Sequence, residues 1–286
     1  MRTETLWVAG GVYGNPFALE RLLELYEREA GAKALVLNGD FHWFDVDREQ
    51  FASIERMRAP HLALRGNVES ELAQPDAGAG CGCGYPDWVP DAEVERSNRI
   101  IERLRATAQL FPQRFTTLPM YLVAEVGGVR VAIVHGDADS LAGWGFSQEA
   151  LATAPGRAAA RAAFERADVS VFASSHTCLP VLQCFGEAHA IVNNGAAGMP
   201  NFSGAAFGLV TRLSVRRSEK ALYRARAGGV LVDAVALDYD SAAWQRAFLA
   251  QWPQGSDAYR SYYSRIASGP RYHIEQALRR ETALAA

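Results

Sequence analysis

Cysteine is scarce in this chain, and long apolar runs are missing. Four cysteines in 286 residues (Cys81, Cys83, Cys178, Cys184) are too few for a disulfide framework. A reducing, cytoplasmic setting is therefore expected. No apolar stretch approaches the ~18 residues that a membrane-spanning helix needs, so no membrane span is expected. Residues 1–9 lack a charged segment leading into a long apolar one, so no secretion signal is expected either. Charge of one sign is also lacking: 29 Lys and Arg stand against 32 Asp and Glu, for a net charge of −3. A field that weak recruits neither nucleic acid nor an acidic membrane. The local basic clusters at 212–217 and 279–280 read as solvated surface. No internal repeat or interdomain linker is visible.

Apolar residues are abundant, at 49%, enough for a substantial core. They are concentrated in short runs at 34–37, 61–64, 129–134 and 169–173, which read as buried strands. A short polar motif follows each run: Asn38-Gly39-Asp40, Gly66-Asn67-Val68-Glu69, His135-Gly136 and Ser175-His176-Thr177-Cys178. Side chains just beyond neighbouring strand ends converge on one crevice in α/β folds. A carboxylate (Asp40), an amide oxygen (Asn67) and two imidazoles (His135, His176) in one crevice suit a divalent metal.

The elements alternate at the start. Runs at 6–9, 34–37 and 61–64 enclose helices expected over 17–30 and 47–58, a β-α-β-α-β opening that implies parallel strands with helices on the faces. Residues 69–90, rich in Gly and Pro and carrying Cys81-Gly82-Cys83, read as a long surface loop. A helix is expected over 91–111 with Asp91 as its cap. A strand pair at 120–125 and 129–134 turns at Gly127-Gly128. A helix over 148–167 breaks near Pro155-Gly156. Strands follow at 169–173, 181–185 and 190–192, then β-structure at 207–215, 221–227 and 230–237. Two or three helices follow Ser241.

In order, spacing and strand context, these motifs resemble the calcineurin-like metallophosphoesterases over roughly residues 6–215. That family has an aspartate-x-histidine, a glycine-aspartate, a glycine-asparagine-histidine, a lone histidine and a glycine-histidine-x-histidine. Gly14-Asn15 followed by Phe17-Ala18-Leu19-Glu20 also looks like its first segment. The resemblance implies an α/β fold, a two-sheet β-sandwich flanked by helices (αββα). A single domain over 1–286 is expected, with 216–286 a C-terminal extension packed on it. It further implies a metal-dependent phosphoesterase.

This chain departs from the family at four places. Gly11 stands at the first aspartate, Tyr13 at the first histidine, Val68 at the histidine thought to assist the leaving group, and Cys178 at the last histidine. One half-site is complete (Asp40, Asn67, His135, His176), while the other keeps Asp40 and, if it ligates, Cys178. Two dications sharing one carboxylate would repel poorly offset charge. One ion is therefore expected in preference to two, with manganese, iron or zinc as the candidates. Cys178 is either a soft ligand or a small hydrophobe. Tyr13 is either a phenolic donor or an aromatic plug. His42, with Asp45 nearby, is a candidate catalytic group, substrate contact or additional ligand. Glu69 is expected beside the ligands, orienting a neighbour. A zinc knuckle at Cys81 and Cys83 is not expected. Asn193-Asn194-Gly195 resembles a turn whose N–H groups face an anion.

The expected substrate is a phosphate-containing small molecule or nucleotide, and a phosphodiester or activated ester, because Val68 supplies no acid. The alternative is a non-catalytic binding module that keeps the fold with an eroded site. Iron redox chemistry, suggested by Cys178 alone, is a third reading.

Overall fold

The computed structural model describes residues 1–74, 80–111 and 115–281. In chain order, the first strands and helices are β1 (Arg2–Thr3), β2 (Thr5–Ala9), α1 (Pro16–Glu27), β3 (Lys33–Asn38), α2 (Arg48–Arg58), β4 (Leu62–Leu64), α3 (Asn67–Leu72) and α4 (Asp91–Ala108). The middle of the chain forms β5 (Tyr121–Val126), β6 (Val129–Val134), α5 (Gln148–Ala152), α6 (Ala154–Ala167), β7 (Val171–Ser174), β8 (Val181–Phe185) and β9 (His189–Asn193). The rest forms β10 (Gly208–Ser214), β11 (Ala221–Ala227), β12 (Val230–Leu237), α7 (Ser241–Gln251), α8 (Ser264–Ser268) and β13 (Leu278–Arg280).

The strands form two sheets, a seven-stranded one in the order β1-β5-β6-β7-β9-β8-β13 and a six-stranded one in the order β11-β12-β10-β2-β3-β4. β2, β3 and β4 run parallel, as the opening pattern implies. Alternation along β2 explains the layering. Leu6 and Val8 point between the sheets, where they meet Val131, Ile133 and Val171 of the other sheet. Trp7 and Ala9 point to the opposite face, against Leu19 and Leu22 of α1 and Phe51 and Ile54 of α2. Behind the seven-stranded sheet, Phe172 and Ile191 pack on Leu151 of α5 and Phe164 of α6. The result is a helix–sheet–sheet–helix sandwich.

The helix starts follow capping chemistry. Asn15 accepts the Ala18 N–H and Pro16 opens α1, while Asp47 accepts the Glu49 and Gln50 N–H groups to cap α2. Asp91 is the first residue of α4, and Pro90 is its cap. The helix over 148–167 breaks near Pro155-Gly156, at Thr153, whose hydroxyl caps α6, with the proline tolerated in its first turn. The stretch 69–90 is not wholly loop. Its first residues belong to α3, and residues 75–79 lie outside the described residues.

From residue 216 the chain adds β11 and β12 to one sheet and β13 to the other. The segment from α7 then crosses back over earlier parts of the chain: Trp252 Nε1 donates to Phe44 O at 2.7 Å, and Tyr272 Oη donates to Pro180 O at 2.8 Å. Among the described residues no helix is long and apolar enough to cross a membrane.

Candidate metal centre

Four strand ends meet between the sheets. Gly39 and Asp40 follow β3 with left-handed backbone angles, φ 78° and 54°. A Cβ on Gly39 would lie 2.5 Å from Gly66 N and 2.6 Å from His135 Nδ1, so only glycine lets this turn pass. Asn67 opens α3 after β4, His135 directly follows β6, and His176 lies two residues beyond β7.

All four side chains are buried. His135 Nε2 lies 3.3 Å from Asp40 Oδ2, 3.1 Å from Asn67 Oδ1 and 3.3 Å from His176 Nδ1. Donor atoms about 2.0–2.2 Å from a shared cation sit roughly 3.0–3.5 Å apart, so this spacing fits one ion. The donor set of two imidazoles, a carboxylate and an amide oxygen suits manganese, iron or zinc.

Neighbouring groups hold each donor in place. His135 Nδ1–H donates to Asn38 O at 2.8 Å, and His176 Nε2–H donates to Cys83 O at 2.9 Å, leaving the other nitrogen of each ring for a cation. Asn67 Nδ2 donates to Cys81 O at 3.0 Å, which turns its amide oxygen inward. Glu69 is fully buried. Its carboxylate accepts the N–H groups of Asp40 (2.8 Å), Phe41 (2.9 Å) and Gly66 (2.8 Å), binding the Asp40 turn to the start of α3. Asn38 Nδ2 donates to Val134 O and Ser175 Oγ, and Ser175 Oγ donates to Asn194 Oδ1, a chain that ties the sheets together. Sequence reasoning missed Asn38 and Ser175, although both lie within its motifs.

The electrostatics favour an ionised Asp40 and a neutral His176. Burial pushes Asp40 up, but His135 and the surrounding hydrogen bonds outweigh it and hold the carboxyl below its usual range. Burial, then the charge of His135, lowers His176 to about 4, so it is neutral near pH 7. Burial also opposes the charged form of His135, but Asp40 outweighs it and raises its pKa. Burial and the Asp40 charge raise Glu69, against the N–H groups it accepts.

Tyr13 and Cys178 flank the candidate ligands on one cavity. A Cβ on Gly11 would meet the Tyr13 ring at 2.7 Å, so the ring fills the place of the lost side chain. Tyr13 Oη and Cys178 Sγ are hydrogen-bonded at 2.8 Å. Burial, then Cys178 and Asp40, raises Tyr13 well above the usual phenol range. Burial likewise raises Cys178, which keeps it a thiol. Cys178 is not among the described residues whose donor atoms converge on a metal-sized space; Asp40, His135 and His176 are.

His42 stands apart from this centre. It does not line the cavity beside the centre. Its ring is fully buried and stacks on Phe51 at 3.8 Å, with Nδ1 2.5 Å from Asp45 Oδ2 and Nε2 3.0 Å from Glu55 Oε1. Burial opposes the charge, but Asp45 and Glu55 outweigh it and raise His42 to about 9, making it a structural imidazolium. The turn at 193–195 does not offer its N–H groups to an anion. Asn194 N donates to Ser174 O, and Gly195 N to Asn193 Oδ1. Cys81 and Cys83 are joined as a disulfide.

A cavity of about 190 Å³ opens beside the centre, with Trp43, Tyr85, Trp144 and Tyr262 among its walls. No family model and no curated protein matches the chain. Among solved structures, a metallophosphoesterase from Sphaerobacter thermophilus superposes with a TM-score of 0.56 at 17% identity, covering 93% of this chain and 100% of its own. The chain has the metallophosphoesterase fold. A hypothetical protein from Pyrococcus horikoshii OT3 shares that fold, with a TM-score of 0.56 at 16% identity, covering 95% and 100% of the two chains. In this metallophosphoesterase fold the candidate ligands sit at the ends of β3, β4, β6 and β7, where both sheets contribute.

Proposed function

We propose that this chain is a metal-dependent phosphoesterase acting on phosphodiesters or activated esters, with one divalent ion held by Asp40, Asn67, His135 and His176. The observation that carries this reading is the convergence of these four donors, with each imidazole anchored through its other nitrogen. When bound, the ion supplies Lewis acidity to a phosphoryl oxygen and lowers the pKa of water.

The chain's own residues do the rest. Glu69 keeps Asp40 and the start of α3 in register. Tyr13, held protonated, presents a donor at the cavity wall. Trp43, Tyr85, Trp144 and Tyr262 offer apolar, planar surfaces that suit an aromatic ester group or a nucleobase. Val68, buried at the position of the missing acid, offers no proton to a poor leaving group. His42 has no part, since both its nitrogens are engaged.

The test is protein loaded with manganese, iron or zinc and assayed on aryl phosphodiesters. The expected result is turnover that Asp40→Ala removes, with a drop of at least a hundredfold. Absent turnover with every metal, or turnover unchanged in Asp40→Ala, would overturn this reading.

One observation favours the non-catalytic alternative: the Tyr13 ring fills the second half-site. That alternative expects purified protein to carry less than about a tenth of an equivalent of transition metal, which elemental analysis reads directly.

A further inference from the structure

The half-site that lost its ligands faces a cation from far along the chain. Arg265 lies on α8, just after a turn of π-helix at Tyr259–Tyr263, and lines the cavity together with Tyr13, Asp40, His176 and Cys178. Its Nη2 donates to Cys178 O at 2.6 Å and its Nε to Pro200 O at 3.0 Å, with Asn201 Oδ1 at 3.5 Å. All three partners are neutral oxygens. Among the described residues no carboxylate pairs with Arg265; besides these oxygens its guanidinium also interacts with the Cys178 thiol. By contrast, the buried Arg212 is paired with both Glu29 and Asp233. Asn201 is itself fixed by hydrogen bonds with Ala196 and Met199, so the platform under the guanidinium is rigid.

We infer that Arg265 is the fixed cation standing in for a second metal ion, and that it binds the phosphoryl oxygens of the substrate. The inference rests on the phosphoester reading of the metal centre. Two dications against two carboxylates leave a net double positive charge for an incoming phosphate. One dication and one guanidinium against Asp40 alone leave the same net charge, without forcing two metal ions together around a single carboxylate. A guanidinium also meets phosphate with paired, directional N–H donors. Arg265 is thus a phosphate-binding residue that the C-terminal segment delivers to a centre built by the first 176 residues.

The test measures inorganic phosphate binding to manganese-loaded protein by calorimetry, with metal content read by elemental analysis. The expected result is binding by the parent chain and at least tenfold weaker binding by Arg265→Ala, with manganese content unchanged. Because Arg265→Ala also removes two hydrogen bonds to backbone oxygens, Arg265→Gln and Arg265→Lys accompany it. Gln, without the charge, weakens phosphate at least tenfold, whereas Lys stays within about tenfold of the parent. Phosphate affinity in Arg265→Gln within twofold of the parent would overturn the inference, as would a manganese-loaded parent that does not bind phosphate. Parallel assays on an aryl phosphodiester separate the two readings. Arg265-dependent phosphate binding without turnover would sink the enzyme and keep the inference. Turnover with phosphate affinity indifferent to Arg265 would do the reverse.

Discussion

His42 sits between Asp45 and Glu55 with both ring nitrogens engaged, so its charge serves the fold. Replacing it by Asn leaves the buried Asp45 carboxylate without a counter-charge. We expect a loss of roughly 3–5 kcal/mol in urea unfolding at pH 7. The pH dependence has two edges. With His42 raised to about 9, its stabilisation is complete below its ordinary value near 6.5 and fades as pH climbs through 9. Glu55 is lowered to about 2; burial opposes this, and the bonds from His42 and Arg58 outweigh it. Its stabilisation is present above about 4.5 and fades as pH falls toward 2. Unfolding midpoints in His42→Asn should therefore be flatter between pH 6.5 and 9 than in the parent. Glu69→Ala, which frees the N–H groups of Asp40, Phe41 and Gly66, should weaken manganese binding by about 10–100-fold, read by competition with a chelator. The four candidate ligands were legible from sequence because each lies within three residues of the end of an apolar run. The fates of Tyr13 and Cys178 were not, since their hydrogen bond joins residues 165 positions apart.

The start of α3 carries the tightest constraint among the elements. A Cβ on Gly66 would lie 2.3 Å from Asp40 Oδ1 and 2.8 Å from His135 Cε1. Gly66→Ala should therefore displace two ligands at once. We expect metal affinity to fall more than tenfold while the far-ultraviolet circular dichroism stays close to the parent's. Most strands were readable within a residue or two, because residues buried on both faces make unbroken apolar runs. The helix α3 was missed, since six residues of Asn-Val-Glu-Ser-Glu-Leu carry too little periodicity and merge into a glycine-rich stretch. The strand β13 was missed for a related reason. Leu278–Arg280 is a three-residue, half-exposed edge strand, recognisable only from its parallel partner β8.

In the molecule as a whole, the C-terminal segment secures the first half of the chain. Trp252 is buried and donates to Phe44 O, and Trp244 and Phe248 pack around Phe44. Trp252→Ala should cost about 3–5 kcal/mol, measured by urea unfolding. A chain ended after residue 240 should lose cooperative unfolding altogether, as judged by a broad, shallow transition. The sequence pattern showed helices here without showing what they cover, because hydrophobic spacing marks a buried face and not its partner.

The position of Arg265 so late in the chain also sets an order of events during synthesis. All four candidate donors have been translated by residue 176, yet the guanidinium follows roughly 90 residues later, a delay on the order of 5–20 s at bacterial-to-eukaryotic elongation rates. Because β10 and β12 complete the sheet that carries Asp40 and Asn67, and a chain ended after residue 240 is expected to lose its cooperative fold, the cation and anion positions would be completed together, only once the closing stretch has left the ribosome.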